Sequence, residues 1–181
     1  MNIEKGNIEG LLIIKPSIYE DERGYFFESF NQKKWEVFFK DAPVFVQDNE
    51  SLSFKNVLRG LHFQKPPFAQ GKLVRVTNGS VLDVAVDLRK DSPTYGQHQK
   101  IVLSAKNKLQ FYIPEGFAHG FLALEDNTQF NYKCTNFYSA ESEGSINWND
   151  RDLAIDWGIN NPIVSQKDIN SIRFVNFNSP F

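Results

Sequence analysis

Apolar residues recur along the chain in short, often β-branched runs, and clusters of Gly, Pro, Asn and Asp separate them. From residue 57 onward these runs return roughly every ten residues, a spacing typical of sandwiches and small barrels. The predicted strands here are 71–77, 81–88, 99–104, 109–113 and 118–124. The pattern favours an all-β fold over a parallel α/β sheet.

Turn residues predict how some strands are connected. Asn78-Gly79-Ser80 separates two predicted strands and indicates a β-hairpin, because Asn and Gly tolerate positive φ. Further strands are expected at 10–16 and, after a turn at 21–24, at 25–30. The segment 147–157 is expected to be a loop followed by a strand.

Helical signals are few and short. Asn31 can cap a helix in which Trp35, Phe38 and Phe39 fall on one side. Ser165 can open a second short helix, with Asp168 as its capping-box partner. The sequence therefore predicts a β-rich fold with a few short helices.

Composition narrows the class of protein. A chain of 181 residues fits one domain spanning 1–181, and 17 Phe against one Met favour an aromatic, β-rich core. The net charge of −2 and scattered basic residues predict no nucleic-acid surface. Cys134 stands alone, and no signal-like or membrane-length apolar run is present, so we expect a soluble cytoplasmic protein without a membrane segment.

Polar residues interrupt the apolar strands between residues 58 and 89. Lys72 shares a strand face with Val74, so its ammonium either snorkels into water at the strand mouth or points into a barrel pocket. Arg59 and His62 have opposite parity, and both can reach one cavity only if the strand bends at Gly60. Parity alone leaves these alternatives open.

Histidine positions suggest a β-barrel without a metal. His119 follows the turn at 114–116 in PEGFAHGF, which resembles half of a cupin motif. The other half normally contains a His-x-His pair, but Gln64 occupies the second position after His62. Because Gln is a poor ligand for transition metals, a metal-free cupin is the better interpretation. A histidine such as His62, taken alone, is more often a hydrogen-bonded structural residue than a base.

Several other polar side chains could enter the same cavity. Gln47 and Asn49 share parity at the end of an apolar strand, where they either line a pocket or mark the strand's exit into solvent. Tyr132 and Tyr138 share parity if their strand is unbroken; a phenol can act as a general acid, and an aromatic ring can stack on a base.

Together these residues resemble the dTDP-4-dehydrorhamnose 3,5-epimerases. The similarity runs from Leu12 to Phe174 and is carried by DERGYFFESF, QDNESLS, LRGLHFQKPPFAQGKLV, GSVLDVAVDLRKDSPTYG, IPEGFAHGF, YKCTNFY, ESEGSINWND and SQKD. The resemblance implies a homodimeric, cofactor-independent cupin jelly roll. It further implies epimerisation of dTDP-4-keto-6-deoxy-D-glucose at carbons 3 and 5 to dTDP-4-keto-L-rhamnose, in dTDP-L-rhamnose biosynthesis.

The same resemblance implies roles for individual residues. His62 would be the base, Asp168 its orienting carboxylate, Tyr132 the opposing acid and Lys72 the group beside the keto oxygen. Residues implied to contact the sugar or the nucleotide are Arg23, Glu28, Gln47, Asn49, Arg59, His119, Tyr138, Glu143 and Lys167.

Three alternatives stay open at this stage. The chain could epimerise only carbon 3 or act on another nucleotide-linked 4-keto sugar. It could be a metal-dependent cupin enzyme. It could also be a sugar-nucleotide binding module without activity, although a complete set of base, acid and orienting carboxylate argues against that.

Overall fold

The computed structural model describes residues 2–39 and 41–181, and these form fourteen strands, two α-helices and one 3-10 helix. The strands are β1 (Asn2–Lys5), β2 (Leu12–Lys15), β3 (Tyr19–Asp21), β4 (Gly24–Phe26), β5 (Gln47–Ser53), β6 (Val57–Gln64), β7 (Lys72–Asn78), β8 (Ser80–Asp87), β9 (His98–Ser104), β10 (Gln110–Ile113), β11 (Phe117–Ala123), β12 (Thr128–Cys134), β13 (Glu143–Ser145) and β14 (Ile163–Val164). The helices are α1 (Gln32–Phe38), α2 (Gln166–Ile169) and the 3-10 turn Phe174–Asn176. The predicted all-β fold with short helices is confirmed.

The larger strands form two sheets. Sheet 1 has the order β1-β2-β10-β7-β12-β5, and sheet 2 has the order β13-β6-β11-β8-β9, with β14 added parallel to β6. The remaining pairings within both sheets are antiparallel. From β5 to β13 every connection except β8–β9 carries the chain from one sheet to the other, which is the double-sheet arrangement of a jelly roll.

Side chains alternate along the strands, so one set packs in a core between the two sheets. The other set lies on the outer faces, and other segments of the chain cover both of these faces. Val74 and Phe130 of sheet 1 share one buried cluster with Ala85 and Phe121 of sheet 2. On the outer face of sheet 2, Leu61 and its neighbours are covered by the C-terminal segment. Aromatic residues from α1 and its flanks cover the outer face of sheet 1.

The predicted hairpin at Asn78-Gly79-Ser80 is wrong. β7 lies between β10 and β12 in sheet 1, whereas β8 lies between β11 and β9 in sheet 2, so the turn carries the chain from one sheet to the other. Gly79 has φ +75°, and a Cβ there would lie 2.4 Å from Oγ1 of Thr128. The positive φ was expected, but turn chemistry does not specify which strands pair.

Two predicted strands and the predicted buried face of helix α1 need correction. The strand expected at 25–30 is only β4, the three residues 24–26, and the segment 147–157 contains turns and no strand. Helix α1 is capped as predicted, with Oδ1 of Asn31 accepting from the backbone N of Lys34 at 3.3 Å. Trp35 is buried and stacks on Phe39, but Phe38 is exposed, because the helix ends after two turns and buries only a narrow face.

Candidate active site

A cavity of about 260 Å³ lies between the two sheets. Its lining comes from β5, β6, β7, β12, β13 and the loops that follow them: Gln47, Asn49, His62, Phe63, Gln64, Gln70, Lys72, Tyr132, Cys134, Tyr138 and Glu143. Seven of the thirteen residues proposed from the sequence are in this lining. The cavity therefore brings together most of the expected chemistry.

His62 and Asp168 form a hydrogen-bonded pair at the cavity wall. Nε2 of His62 lies 2.5 Å from Oδ1 of Asp168, which is 2% exposed. Burial alone would raise the pKa of Asp168, but the hydrogen bonds from His62 and from the backbone N–H of Gly60 hold it below its ordinary value. An ionised carboxylate only accepts hydrogen bonds, so Nε2 of His62 is the donor and Nδ1 carries the lone pair of the neutral ring.

Helix α2 holds Asp168 in this position. Oγ of Ser165 caps the helix by accepting from the backbone N of Asp168 at 3.1 Å. The carboxylate of Asp168 bonds to His62, and a hydrogen bond from the side chain of Ser165 also lowers its pKa. Asp168 thus contributes its backbone to the cap and its side chain to the histidine, and the two roles that competed in the sequence are both fulfilled.

The expected bend at Gly60 is present. Arg59 pairs with Phe121 and His62 with His119, so three steps along β6 match two steps along β11, which is a β-bulge. Gly60 has φ +122°, and a Cβ there would lie 2.5 Å from Cα of Gly120. The bulge turns His62 into the cavity.

Arg59 lies beside the cavity, outside its lining. Its guanidinium donates to Oγ of Ser53 at 3.1 Å and to the carbonyl of Leu52 at 3.2 Å. The positive charge still acts inside the cavity, because it opposes the burial that raises the pKa of Tyr132.

Lys72 extends from β7 into the cavity and makes no ion pair with any other described residue. Its Nζ lies 5.9 Å from the ring centroid of Tyr132. Burial lowers the pKa of Lys72, while the negative charges of Asp83 and Glu143 oppose that effect. The pocket alternative for this lysine is therefore the correct one, and its cation is available to an anion inside the cavity.

Tyr132 belongs to β12 of sheet 1, and His62 belongs to β6 of sheet 2, so the two side chains enter the cavity from opposite walls. Burial raises the pKa of Tyr132 above its ordinary value. The phenol is consequently protonated at neutral pH and is a potential proton donor facing the His62 base.

A chain of hydrogen bonds runs around the mouth of the cavity. Tyr138 donates its hydroxyl to Glu143 at 2.9 Å, and Glu143 forms an ion pair with Lys167 at 2.6 Å. The backbone N of Tyr138 donates to Gln47, whose amide in turn donates to Asn49 at 2.9 Å. Gln47 and Asn49 thus line the cavity from one face of β5.

Strand β12 ends at Cys134, so the parity argument for Tyr138 does not hold. Tyr138 lies in the loop that follows and reaches the cavity mouth because its backbone is fixed to Gln47. Tyr138 is 58% exposed, which leaves its side chain open to stacking.

Two of the expected substrate contacts lie away from the cavity. Arg23 occupies the exposed β3–β4 turn and pairs with Asp21. Glu28 pairs with Lys34 at 2.7 Å and accepts from Asn31. Neither side chain is in the cavity lining.

A second histidine–carboxylate pair lies beside His62 on the neighbouring strand, outside the residues that line the cavity. His119 is buried against Phe130, and its Nε2 lies 2.9 and 3.1 Å from the two carboxylate oxygens of Asp83. Sequence reasoning missed Asp83. The available signal was a single Asp at a core-facing position in the otherwise apolar SVLDVAV of β8.

The amide of Gln64 is fully used within the protein. Its Nε2 donates to the carbonyls of Phe68 at 2.6 Å and Phe137 at 3.1 Å, and its Oε1 accepts from the backbone N of Ser139. Gln64 therefore ties the loops at the cavity mouth together. Within residues 2–39 and 41–181, no group of three or more His, Cys, Asp and Glu is arranged to hold a metal, and no helix is long and apolar enough to cross a membrane.

Comparisons with known proteins agree with the geometry. The family model for dTDP-4-dehydrorhamnose 3,5-epimerase matches residues 5–176. A dTDP-4-dehydrorhamnose 3,5-epimerase from Shigella flexneri is 54% identical over 97% of each chain. The crystal structure of the enzyme of that name from Elizabethkingia anophelis has a TM-score of 0.93 and 52% identity, covering 97% of each chain.

A dTDP-6-deoxy-D-glucose-3,5-epimerase from Legionella pneumophila, solved in complex with dTDP-4-keto-L-rhamnose, has a TM-score of 0.93 and 49% identity over 98% of this chain and 94% of that one. The family expected from the sequence motifs and its cupin-type jelly roll are confirmed. With a cavity that contains a paired histidine, an opposing tyrosine and a free lysine, and with near full-length similarity to these enzymes, this chain belongs to the dTDP-4-dehydrorhamnose 3,5-epimerase family.

Proposed function

We propose that this protein epimerises carbons 3 and 5 of dTDP-4-keto-6-deoxy-D-glucose, giving dTDP-4-keto-L-rhamnose for dTDP-L-rhamnose biosynthesis. The observation that carries the proposal is the placement of His62 and Tyr132 on opposite walls of one cavity, with Lys72 between the sheets beside them. Inversion at carbon needs a base on one face of the sugar and an acid on the other.

The base step begins at Nδ1 of His62. Carbons 3 and 5 both flank the carbonyl at carbon 4, so removing either proton gives an enolate on the same oxygen, and one base can serve both centres. The proton moves from carbon to Nδ1, and the electron pair of the C–H bond moves through the new C=C bond to the oxygen. Asp168 stabilises the imidazolium that forms, because its carboxylate accepts the Nε2–H bond.

The enolate needs a positive group near its oxygen, since ketone α-protons are very weak acids relative to imidazolium. A charged donor in a cavity with little water stabilises such an oxyanion in the transition state by several kcal/mol, on the order of 3 to 4. Lys72 is the candidate, because its ammonium faces the cavity without a partner among the described ion pairs.

Tyr132 completes each inversion. Its phenol donates a proton to the carbon on the face opposite His62, and the enolate electrons form the new C–H bond. The resulting phenolate and imidazolium return to their starting states by proton exchange with water. All of these steps are proton transfers, so we expect the protein to work without metal or cofactor, and treatment with EDTA should leave the rate unchanged.

The cavity mouth suits the nucleotide. The open face of Tyr138 is proposed to stack on thymine, and Arg59 and Lys167 supply positive charge for the pyrophosphate. Gln47, Asn49, His119 and Glu143 are proposed to contact the sugar and the base. Arg23 and Glu28 keep their proposed substrate role only if a rearrangement or another subunit brings them to a cavity.

A homodimer in the cytoplasm is part of the proposal. The hairpin β3–β4 supports it, because Tyr19, Tyr25 and Phe26 are all largely exposed on this short element. In a dimer the hairpin would be covered, and Arg23 at its turn would be held close to a subunit interface. Sedimentation equilibrium of the wild-type protein, compared with a Phe26→Glu variant, tests this: a wild-type monomer contradicts the dimer.

The decisive experiment is incubation with dTDP-4-keto-6-deoxy-D-glucose in deuterated water. Proton NMR should show deuterium at carbons 3 and 5 and inversion at both. Exchange and inversion at carbon 3 alone would identify a one-centre epimerase, and saturable binding without exchange would identify a binding module. The matched control is His62→Asn, which should bind the nucleotide and exchange neither carbon; retained exchange would remove His62 from the base role.

A further inference from the structure

Asp83 and His119 form a second pair directly beside the first. His119 of β11 is the cross-strand partner of His62 in β6. Nε2 of His119 lies 2.9 and 3.1 Å from the oxygens of Asp83, which is 0% exposed. The sequence motifs assign Asp83 no role, although it is a carboxylate in the barrel interior next to the reaction site.

The hydrogen bonds of His119 determine its tautomer. No other described side chain bonds to the carboxylate of Asp83, and a carboxylate accepts hydrogen bonds without donating them. The proton is therefore on Nε2, and Nδ1 of the neutral ring has the lone pair. His119 is 7% exposed, so a small part of the residue remains accessible.

A fully buried carboxylate also needs a nearby positive charge, because its desolvation costs several kcal/mol. Burial lowers the pKa of His119; Asp83 opposes this effect, and the charges of Lys72 and His62 add to it. His119 is therefore neutral at physiological pH. Lys72 enters from the opposite sheet, and the charge of Asp83 opposes the burial that lowers the pKa of Lys72.

We propose that Asp83 is a positioning residue for the epimerisation. Its carboxylate fixes His119 with the proton on Nε2 and the lone pair on Nδ1. His119 then accepts a hydrogen bond from a sugar hydroxyl, while the enolate oxygen is left to Lys72. The kinetic consequence rests on the proposed function, whereas the tautomer of His119 does not.

Asp83→Asn tests the kinetic consequence. The amide has nearly the same shape and can still accept from Nε2, but it lacks the charge and can also donate, which permits the other tautomer. We expect kcat to fall roughly 10- to 100-fold, the range for outer partners that orient a histidine, with KM changed less than about threefold. Exchange at carbons 3 and 5 should fall in parallel, because both pass through one enolate. Tm is measured alongside, to show that the variant is folded.

Asp87→Asn is the matched control. Asp87 is on the same strand β8 and is equally buried, but it accepts from Arg89, Ser92 and Thr94, away from the cavity. This variant should lower Tm and leave kcat unchanged. A folded Asp83→Asn protein with kcat within twofold of the wild type would overturn the proposal.

Nitrogen-15 NMR of the wild-type protein supplies a readout that needs neither turnover nor a variant at Asp83. The chain has three histidines, so His98→Gln and His62→Asn assign the signals. We expect His119 to have a protonated Nε2 and an unprotonated Nδ1 between about pH 6 and 8. A proton on Nδ1 would overturn the inference. If the wild type neither exchanges nor inverts the sugar, the proposed function fails, and this spectrum still decides the role of Asp83 toward His119.

Discussion

Replacing Asp168 by Asn tests the dyad at the centre of the proposed mechanism. In the wild type the carboxylate accepts the Nε2–H bond of His62 at 2.5 Å, and that bond keeps the lone pair on Nδ1 of a residue that lines the cavity. Asn has almost the same shape and leaves helix α2 with its Ser165 cap. The amide has no charge for the imidazolium, and its NH₂ group can donate to Nε2, which places the proton on Nδ1 and blocks the base.

The expected loss follows from both effects. A histidine that loses its orienting carboxylate while the geometry is kept becomes about 10²- to 10⁴-fold slower, which corresponds to about 3 to 5 kcal/mol of transition-state stabilisation. We expect Asp168→Asn to lower kcat within this range for exchange at both carbons, with KM nearly unchanged, because Asp168 is buried behind His62. The assay is initial-rate NMR in deuterated water.

The pH dependence of stability gives the same prediction a second readout. The pKa of Asp168 is lower in the folded protein than its ordinary value, so its ionisation stabilises the fold above about pH 4, and this contribution is lost as pH falls through the folded pKa. The Tm difference between wild type and Asp168→Asn should therefore shrink below about pH 4. Asp152→Asn, at an exposed carboxylate, is the control. A kcat for Asp168→Asn within about threefold of the wild type would refute the orienting role.

Three further substitutions give separate tests. Tyr132→Phe should retain part of the deuterium exchange but slow inversion about 10²-fold, since it deletes the acid and not the base; product of normal stereochemistry at the full rate, measured by NMR, would exclude the role. Asp87→Asn should lower the free energy of unfolding by about 2 kcal/mol, because hydrogen bonds from Arg89, Ser92 and Thr94 outweigh burial and lower the pKa of Asp87 to about 2. This stabilisation is lost as pH falls from about 4 to 2, and urea unfolding at pH 7 and pH 2.5 measures the loss. Gly60→Ala should lower both Tm and kcat, because a Cβ would lie 2.5 Å from Gly120 and φ is +122°; an active variant with unchanged Tm would show that the bulge is not required.

Strand positions and helix caps were predictable because each depends on a few residues that are neighbours in sequence. Strand positions follow from alternation and from turn residues, and the caps at Asn31 and Ser165 follow from their side-chain oxygens. The bulge at Gly60 was predictable for a different reason: Arg59 and His62 could face one side only if the strand gained a residue. A conflict of parity at a glycine is a readable signal.

Features set by distant parts of the chain were not predictable. The turn at Gly79 has the expected φ, but the strands beside it pair with β12 and β11, whose positions depend on the whole fold. Tyr138 reaches the cavity through a bond from its backbone to Gln47, 91 residues away in sequence. Asp83 belongs to no motif and becomes meaningful only when β11 brings His119 against it.

The two histidine–carboxylate pairs have the same chemical groups, and burial gives them different roles. The side chain of His62 is 30% exposed and faces the cavity, so it can take a proton, exchange it with water and be stabilised by Asp168 while charged. The side chain of His119 is 8% exposed, and burial lowers its pKa, so a charge there would be costly beside Lys72. One histidine is therefore suited to carry protons, and the other to hold a fixed lone pair. A site that moves protons at one face of the sugar and keeps a fixed acceptor beside it needs both kinds of histidine.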